Sequence, residues 1–122
     1  MTHILVVEDD PQFCTMITQM LTQDGHRIQV AGNGEEGLRR IAEAAPELIL
    51  TDILMPGTDG IDLIMALNRQ GSAIPVIAMS GGRRTIRAEF NLESAALLGV
   101  RATLTKPFTR AELRQAITSA LA

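Results

Sequence analysis

The sequence predicts an α/β fold in which helices cover both faces of a parallel sheet. Short, continuous apolar runs recur along the chain, as at residues 4–7, 48–50 and 75–79, and stretches with helical apolar spacing separate them. Such runs are typical of strands buried on both faces of a sheet. Strands that alternate with helices favour a parallel sheet with right-handed crossovers. We therefore expect five strands and five helices in one layered domain.

The first strand is predicted at residues 4–7, and a helix follows it directly. Asp10 can cap this helix, Pro11 suits its first turn, and Asp24-Gly25 can end it. Its apolar stripe comprises Phe13, Met16, Ile17, Met20 and Leu21. The spacing of these residues predicts that the helix packs one face against the sheet.

The second strand is expected at residues 27–31, where apolar and polar residues alternate. After a turn at Asn33-Gly34, a second helix is expected over residues 35–44. Its inward residues are Leu38, Ile41 and Ala45. The third strand, residues 48–50, ends on the carboxylate of Asp52, and a third helix is predicted from about residue 60 to residue 68.

The last two strands are predicted at residues 75–79 and 101–105. The first of them ends at Ser80 and the second at Lys106. A fourth helix is expected within residues 84–98. A final amphipathic helix has its apolar residues at Leu113, Ala116, Ile117, Ala120 and Leu121.

Composition limits the classes of protein to consider. A chain of 122 residues suits one domain with a real core, and its single cysteine, Cys14, excludes an internal disulfide. Residues with hydrophobic side chains make up 46% of the chain, yet no apolar run approaches the length of a membrane span. The net charge of −3 gives no nucleic-acid signal. We expect a cytoplasmic domain that binds neither membrane nor nucleic acid directly.

Polar residues stand at the ends of four predicted strands: Glu8 and Asp9 after the first, Asp52 after the third, Ser80 after the fourth and Lys106 after the fifth. In open parallel sheets, ligands bind beyond the carboxyl ends of the strands. Lys106 is also the only lysine in the chain. A compact ammonium on a flexible stem suits an anion held near Asp52.

These strand ends resemble the receiver domain of bacterial two-component response regulators. The resemblance is carried by Val-Glu-Asp-Asp-Pro at residues 7–11, Asp-Ile-Leu-Met-Pro-Gly-Thr-Asp-Gly at residues 52–60, and Lys-Pro-Phe at residues 106–108. It covers the whole chain and implies a flavodoxin-like, doubly wound sandwich with strand order 2-1-3-4-5. We accordingly expect residues 1–122 to form one stand-alone receiver domain.

The resemblance implies a phosphoryl acceptor. Asp52 would take a phosphoryl group from the phosphohistidine of a sensor histidine kinase or phosphotransfer protein. Mg²⁺ would be held by the carboxylates of Glu8, Asp9 and Asp52 and by the backbone carbonyl of Leu54. The Ser80 hydroxyl and the Lys106 ammonium would bind the phosphoryl oxygens, and the bond between Lys106 and Pro107 would be cis. Such a domain is not an enzyme, although it takes part in its own phosphorylation and autodephosphorylation.

The sequence departs from the family pattern at two positions. Thr103 stands three residues before Lys106, where the family often has an aromatic residue that acts as a rotamer switch. Leu54 is apolar where many members are polar. The relay of the phosphorylated state and the lifetime of the phosphoryl group are therefore left open.

Three other functions are alternatives to this one. The first is a receiver-like adaptor that is never phosphorylated. A flavodoxin-type binder of a phosphate cofactor would need an anion-binding loop after the first strand, where Glu8, Asp9 and Asp10 would repel phosphate. An aspartyl-nucleophile phosphatase would carry an Asp-x-Asp pattern at the first strand, and this chain does not.

Charge is unevenly distributed along the chain. Residues 1–80 carry four arginines and eleven acids, a formal charge of −7, whereas residues 81–122 carry +4. The arginines of the basic part are Arg83, Arg84, Arg87, Arg101, Arg110 and Arg114. We expect a downstream protein partner to dock on the face formed by the predicted fourth helix, the fifth strand and the final helix, with an acidic surface toward these arginines.

Overall fold

A computed structural model of the chain describes residues 2–53, 60–80 and 99–122. The elements in this part are β1 (His3–Val7), α1 (Pro11–Gln23), β2 (Arg27–Ala31), α2 (Gly34–Glu43), β3 (Leu48–Asp52), α3 (Gly60–Arg69), β4 (Val76–Ser80), β5 (Ala102–Thr105) and α4 (Arg110–Leu121). All five predicted strands are present. The helix predicted within residues 84–98 and the carbonyl of Leu54 lie outside the described residues.

The five strands form one parallel sheet in the order β2-β1-β3-β4-β5, which confirms the doubly wound, flavodoxin-like arrangement. β1 pairs with β2 on one side and with β3 on the other. Val7 lies opposite Thr51, and Ser80 lies opposite Thr105. This register brings the residues that follow β1, β3, β4 and β5 to one edge of the sheet.

Two apolar cores flank the sheet because successive side chains of a strand point to opposite faces. Ile4 and Val6 of β1 pack with residues of α1 and α4, whereas Leu5 and Val7 pack with residues of α2 and α3. Burying one such aliphatic side chain stabilises the folded state by about 1.5–3 kcal/mol relative to leaving it exposed. Because both faces of such a strand are covered, apolar residues follow one another without alternating with polar ones, which explains the continuous apolar runs.

The helix ends follow local hydrogen bonding. Asp10 caps α1, and its Oδ1 accepts from the backbone N–H groups of Gln12 and Phe13, as predicted. Asn33 caps α2, which begins at Gly34, one residue before the predicted start. Thr109 and Glu112 form a reciprocal capping box at the start of α4. Among the described helices, none combines the length and the apolar character that crossing a bilayer requires.

Candidate functional site

Three carboxylates converge at the carboxyl edge of the sheet. Glu8, Asp9 and Asp52 each present an oxygen, and these oxygens lie within 4.8 Å of one another. Glu8 is 3% exposed and Asp52 is 2% exposed, because Glu8 directly follows β1 and Asp52 is the last residue of β3, and both strands are buried on both faces. The sequence prediction that these acids meet is therefore correct in its geometry.

Lys106 reaches this cluster from the end of β5. Its Nζ lies 2.6 Å from Asp52 Oδ2 and also donates a hydrogen bond to Glu8 Oε1. The Lys106 side chain is 12% exposed, so the ammonium is bound largely out of water. The peptide bond between Lys106 and Pro107 is cis, as the family resemblance implied, and the Lys106 backbone N–H donates to the carbonyl of Ser80 at 2.8 Å.

Ser80 ends β4, the strand next to β3, and is fully buried. Its Oγ has no hydrogen-bond partner within the described part of the chain. A buried hydroxyl without a partner is destabilising, typically by about 1–3 kcal/mol. The hydroxyl is therefore available to a ligand that supplies the missing acceptor or donor.

Burial dominates the electrostatics of the cluster. Desolvation raises the pKa of Glu8 to about 7 and outweighs the hydrogen bond from Lys106, which acts to lower it; the neighbouring Asp52 charge adds a smaller increase. Burial alone would lower the pKa of Lys106, but its hydrogen bonds to Asp52 and Glu8 outweigh desolvation and raise that pKa. The Lys106 ammonium thus forms ion pairs with two buried carboxylates, and the carboxylate of Asp9 lies close to both of them.

Gly60 packs directly against the backbone of Asp52. A Cβ at position 60 would lie 1.9 Å from the carbonyl oxygen of Asp52 and 2.8 Å from Cα of Ile53. Only glycine permits this approach, since both neighbours are backbone atoms that cannot rotate away. The first residue of α3 is therefore packed directly against the end of β3.

Phe13 belongs to the site, although its spacing predicted only a place in the apolar stripe of α1. Its ring centroid lies 4.3 Å from Lys106 Nζ. The ring also meets the ring of Phe108 edge-on, with 5.5 Å between centroids and 83° between planes. A single apolar residue in a helical stripe carries no signal that would have distinguished this contact from ordinary core packing.

Three arginines of the predicted basic face lie in the described part of the chain, and each has a hydrogen-bond partner inside the domain. Arg110 and Arg114 both bind the carboxylate of Asp24, the C-cap of α1; Arg114 Nη2 lies 2.8 Å from Asp24 Oδ1. Arg101 Nη1 donates to the carbonyl of Ala120 at 3.4 Å. Because sequence position does not show which acid an arginine meets, the prediction counted charges that are partnered inside the domain. Arg83, Arg84 and Arg87 lie outside the described residues.

The donor set at the sheet edge is chemically specific. Three carboxylates within reach of one ion match the hard oxygen ligands that Mg²⁺ prefers, and the unpartnered Ser80 hydroxyl and the Lys106 ammonium match an anionic oxygen. This edge of the doubly wound sheet therefore offers oxygen ligands for a divalent cation next to donors for an anionic oxygen.

Comparison with known proteins identifies the class. A family model for the response regulator receiver domain matches residues 4–118, and the chain belongs to that family. It is a phosphoacceptor domain of two-component signalling, a signalling role rather than an enzymatic one, and domains of this class interact with histidine kinases or phosphotransfer proteins.

Individual relatives agree with this assignment. The chain is 35% identical over 111 residues to the DNA-binding response regulator MtrA of Mycolicibacterium smegmatis, covering 91% of this chain and 46% of that protein. It is 38% identical over 111 residues to the transcriptional activator protein PfeR of Pseudomonas aeruginosa, covering 91% of this chain and 35% of that protein. The chain thus spans less than half the length of these curated relatives.

The fold agrees with solved structures. The receiver domain of NtrX from Brucella abortus superposes with a TM-score of 0.87 at 28% identity, covering 97% of each chain. A putative response regulator from Chloroflexus aurantiacus gives a TM-score of 0.85 at 25% identity, covering 98% of this chain and 97% of the other.

Proposed function

We propose that Asp52 is the residue that accepts the phosphoryl group from the phosphohistidine of a sensor histidine kinase or phosphotransfer protein. The observation that carries this proposal is the position of Asp52. It is a buried carboxylate at a strand end, 2.6 Å from the only lysine, between the strands that carry Glu8 and Ser80. Asp9 is less buried than Asp52.

The transfer is a substitution at phosphorus. An oxygen of Asp52 forms a new bond to phosphorus, the bond between phosphorus and the histidine nitrogen breaks, and its electron pair stays on the imidazole. Phosphoryl transfer depends mainly on alignment and charge neutralisation. The Ser80 hydroxyl and the Lys106 ammonium would bind two of the phosphoryl oxygens, and the buried backbone of β3, held by Gly60, would keep Asp52 in line.

Mg²⁺ fits this site and would supply charge neutralisation between the acids and the phosphoryl oxygens. We propose Glu8, Asp9 and Asp52 as its carboxylate ligands, supported by their mutual distances. The backbone carbonyl of Leu54 is proposed as a fourth ligand on the family resemblance. Hydrolysis of the acyl phosphate at the same site would return Asp52 to its free state.

For output, we propose that a downstream protein docks on the face made by β5 and α4, the described part of the docking surface predicted from the sequence. Thr103 of β5 is exposed there, beside Glu112 and Gln115 of α4. Because Arg110 and Arg114 are bound to Asp24, we assign the selectivity of this face to its polar surface rather than to those two charges.

Phosphorylation of Asp52 is tested by incubating the protein with acetyl phosphate and Mg²⁺ and measuring intact mass. The wild type should gain the mass of one phosphoryl group, and Asp52→Asn should gain none. Asp62→Asn, which removes an exposed acid of α3, is the matched control and should be labelled like the wild type. Labelling of Asp52→Asn would show that another residue accepts the phosphoryl group. An unlabelled wild type would favour an adaptor that is never phosphorylated.

A further inference from the structure

The ammonium of Lys106 has a third neighbour besides its two carboxylates. The ring of Phe13 lies with its centroid 4.3 Å from Nζ. A cation within about 6 Å of an aromatic ring centroid is attracted by the quadrupole of the ring, and the attraction grows when water is excluded. With the Lys106 side chain only 12% exposed, little water competes at this contact.

We propose that Phe13 is a positioning residue, which holds the Lys106 ammonium against Asp52 and Glu8 through the face of its ring. The proposal rests on the role proposed above for Lys106 and adds a residue of α1 to the site. Phe13 does not touch the reacting atoms, and it acts only through the lysine.

The ring is itself held in place on two sides. Its edge-to-face contact with Phe108 has a geometry that aromatic pairs prefer, and Phe108 is buried two residues after Lys106. On the backbone side, the N–H of Phe13 donates to Asp10 Oδ1 at 3.4 Å. The ring therefore sits on the first turn of α1 and against the segment that carries the lysine.

The same turn of α1 is tied to the acid cluster. The backbone N–H of Asp10 donates to Glu8 Oε2 at 3.2 Å, while Glu8 Oε1 accepts from Lys106. Lys106 is therefore connected to the first turn of α1 in two ways: through the carboxylate of Glu8 and through the ring of Phe13. A displacement of the ammonium toward a phosphoryl group would change both contacts at once.

An aliphatic residue of similar size would fill the same space without attracting the cation. Thr103 on β5 is exposed and has no ring, so the aromatic contact of Lys106 comes from α1. This difference between packing and cation attraction makes Phe13→Leu and Phe13→Tyr the informative pair of variants.

The chain has a single lysine, so isotope-labelled lysine gives one side-chain signal, from Lys106. We would measure by NMR the rate at which its ammonium protons exchange with water, in metal-free wild type and in each variant. Phe13→Leu should exchange about tenfold faster than wild type, since a desolvated cation contact of this kind is lost. Phe13→Tyr should stay close to wild type. Leu21→Val, which loosens the buried face of the same helix eight residues beyond Phe13, should also leave the rate unchanged.

Wild-type exchange in Phe13→Leu would overturn the proposal, and so would equally fast exchange in Phe13→Tyr. If circular dichroism shows that Phe13→Leu does not fold, Phe13→Met replaces it. Wild-type exchange in Phe13→Met, or equally fast exchange in Phe13→Tyr, would then overturn the proposal. Labelling of Asp52 is measured separately. An unlabelled wild type would overturn the proposed function while the exchange rates still decide whether Phe13 positions the lysine.

Discussion

The described part of the molecule contains two clusters in which one charged group is shared between two partners of opposite sign, and the clusters differ in burial and in the ratio of acids to cations. In the sheet-edge cluster, Glu8 and Asp52 share Lys106, and the three side chains are 0%, 2% and 12% exposed. In the interhelical cluster, Asp24 of α1 binds Arg110 and Arg114 of α4, and the arginine side chains are 40% and 57% exposed.

The pKa of Glu8 in the first cluster and the pKa of Asp24 in the second move in opposite directions. At the sheet edge, desolvation raises the pKa of Glu8 to about 7. Between the helices, hydrogen bonds from Arg114 and then Arg110 hold the pKa of Asp24 well below its usual range. Burial and the ratio of acids to cations therefore determine whether a charge cluster opposes or favours folding. The sheet-edge cluster has a surplus of negative charge, which suits a site that must accept a cation.

The largest expected effect comes from removing the shared cation. Lys106→Met should lower the free energy of unfolding by about 3 kcal/mol, near the low end for breaking a buried pair, because Glu8 can take up a proton. Urea unfolding with chelator present measures this loss, which should shrink as the pH is lowered. Arg114→Met in the interhelical cluster is the control, and its free energy of unfolding should fall much less than that of Lys106→Met. Equal losses in the two variants would remove the contrast between the clusters.

A smaller effect of opposite sign is expected from removing one of the acids. Asp52→Asn leaves Lys106 paired with Glu8 and relieves the repulsion between the carboxylates, so the metal-free protein should gain about 1–2 kcal/mol of unfolding free energy. In the wild type, Mg²⁺ at roughly 100 times its dissociation constant should add about 2.7 kcal/mol, and Asp52→Asn should lose most of that gain. Calorimetry with chelator and with Mg²⁺ measures both. A metal-free variant that melts below wild type would contradict the repulsion argument.

The smallest change in stability is expected when Asp24 of the interhelical cluster is replaced, and this change depends on pH. The pKa of Asp24 is lower in the folded protein than its usual value of 3.8, so its ion pairs stabilise the fold above that pH and the contribution disappears as the pH falls through it toward the folded pKa. Asp24→Asn should therefore be less stable than wild type at neutral pH, and the gap should close in acid. It should also narrow at high salt, because the arginines are exposed. A gap that stays constant with pH in denaturant titrations would show that Asp24 acts through its cap alone.

Much of the fold was predictable because each element carries its own local signal. The continuous apolar run of β3 predicted burial on both faces, and Asp10-Pro11 predicted the start of α1. The strand order came from the family resemblance, since apolar runs do not show which strands are neighbours. The convergence of Glu8, Asp9 and Asp52 followed once their strands were parallel and adjacent.

The contacts between distant residues were not predictable. Arg114 and Asp24 are 90 positions apart, and nothing local to either indicates the other. Phe13 follows the same spacing as core residues such as Ile17, so its contact with Lys106 had no sequence signature. The requirement for glycine at position 60 comes from the backbone of Asp52, which only the folded chain brings within reach.

The position of β1 bears on the order of folding. β1 is paired on both sides and supplies side chains to both cores, so neither core is complete until β2 and β3 have joined it. These three strands, with α1 and α2 between them, all come from residues 3–52, whereas β4 and β5 are added to one edge in chain order. Short loop closures favour early pairing. A nucleus around β1 that grows outward toward β5 is the folding route that this topology favours.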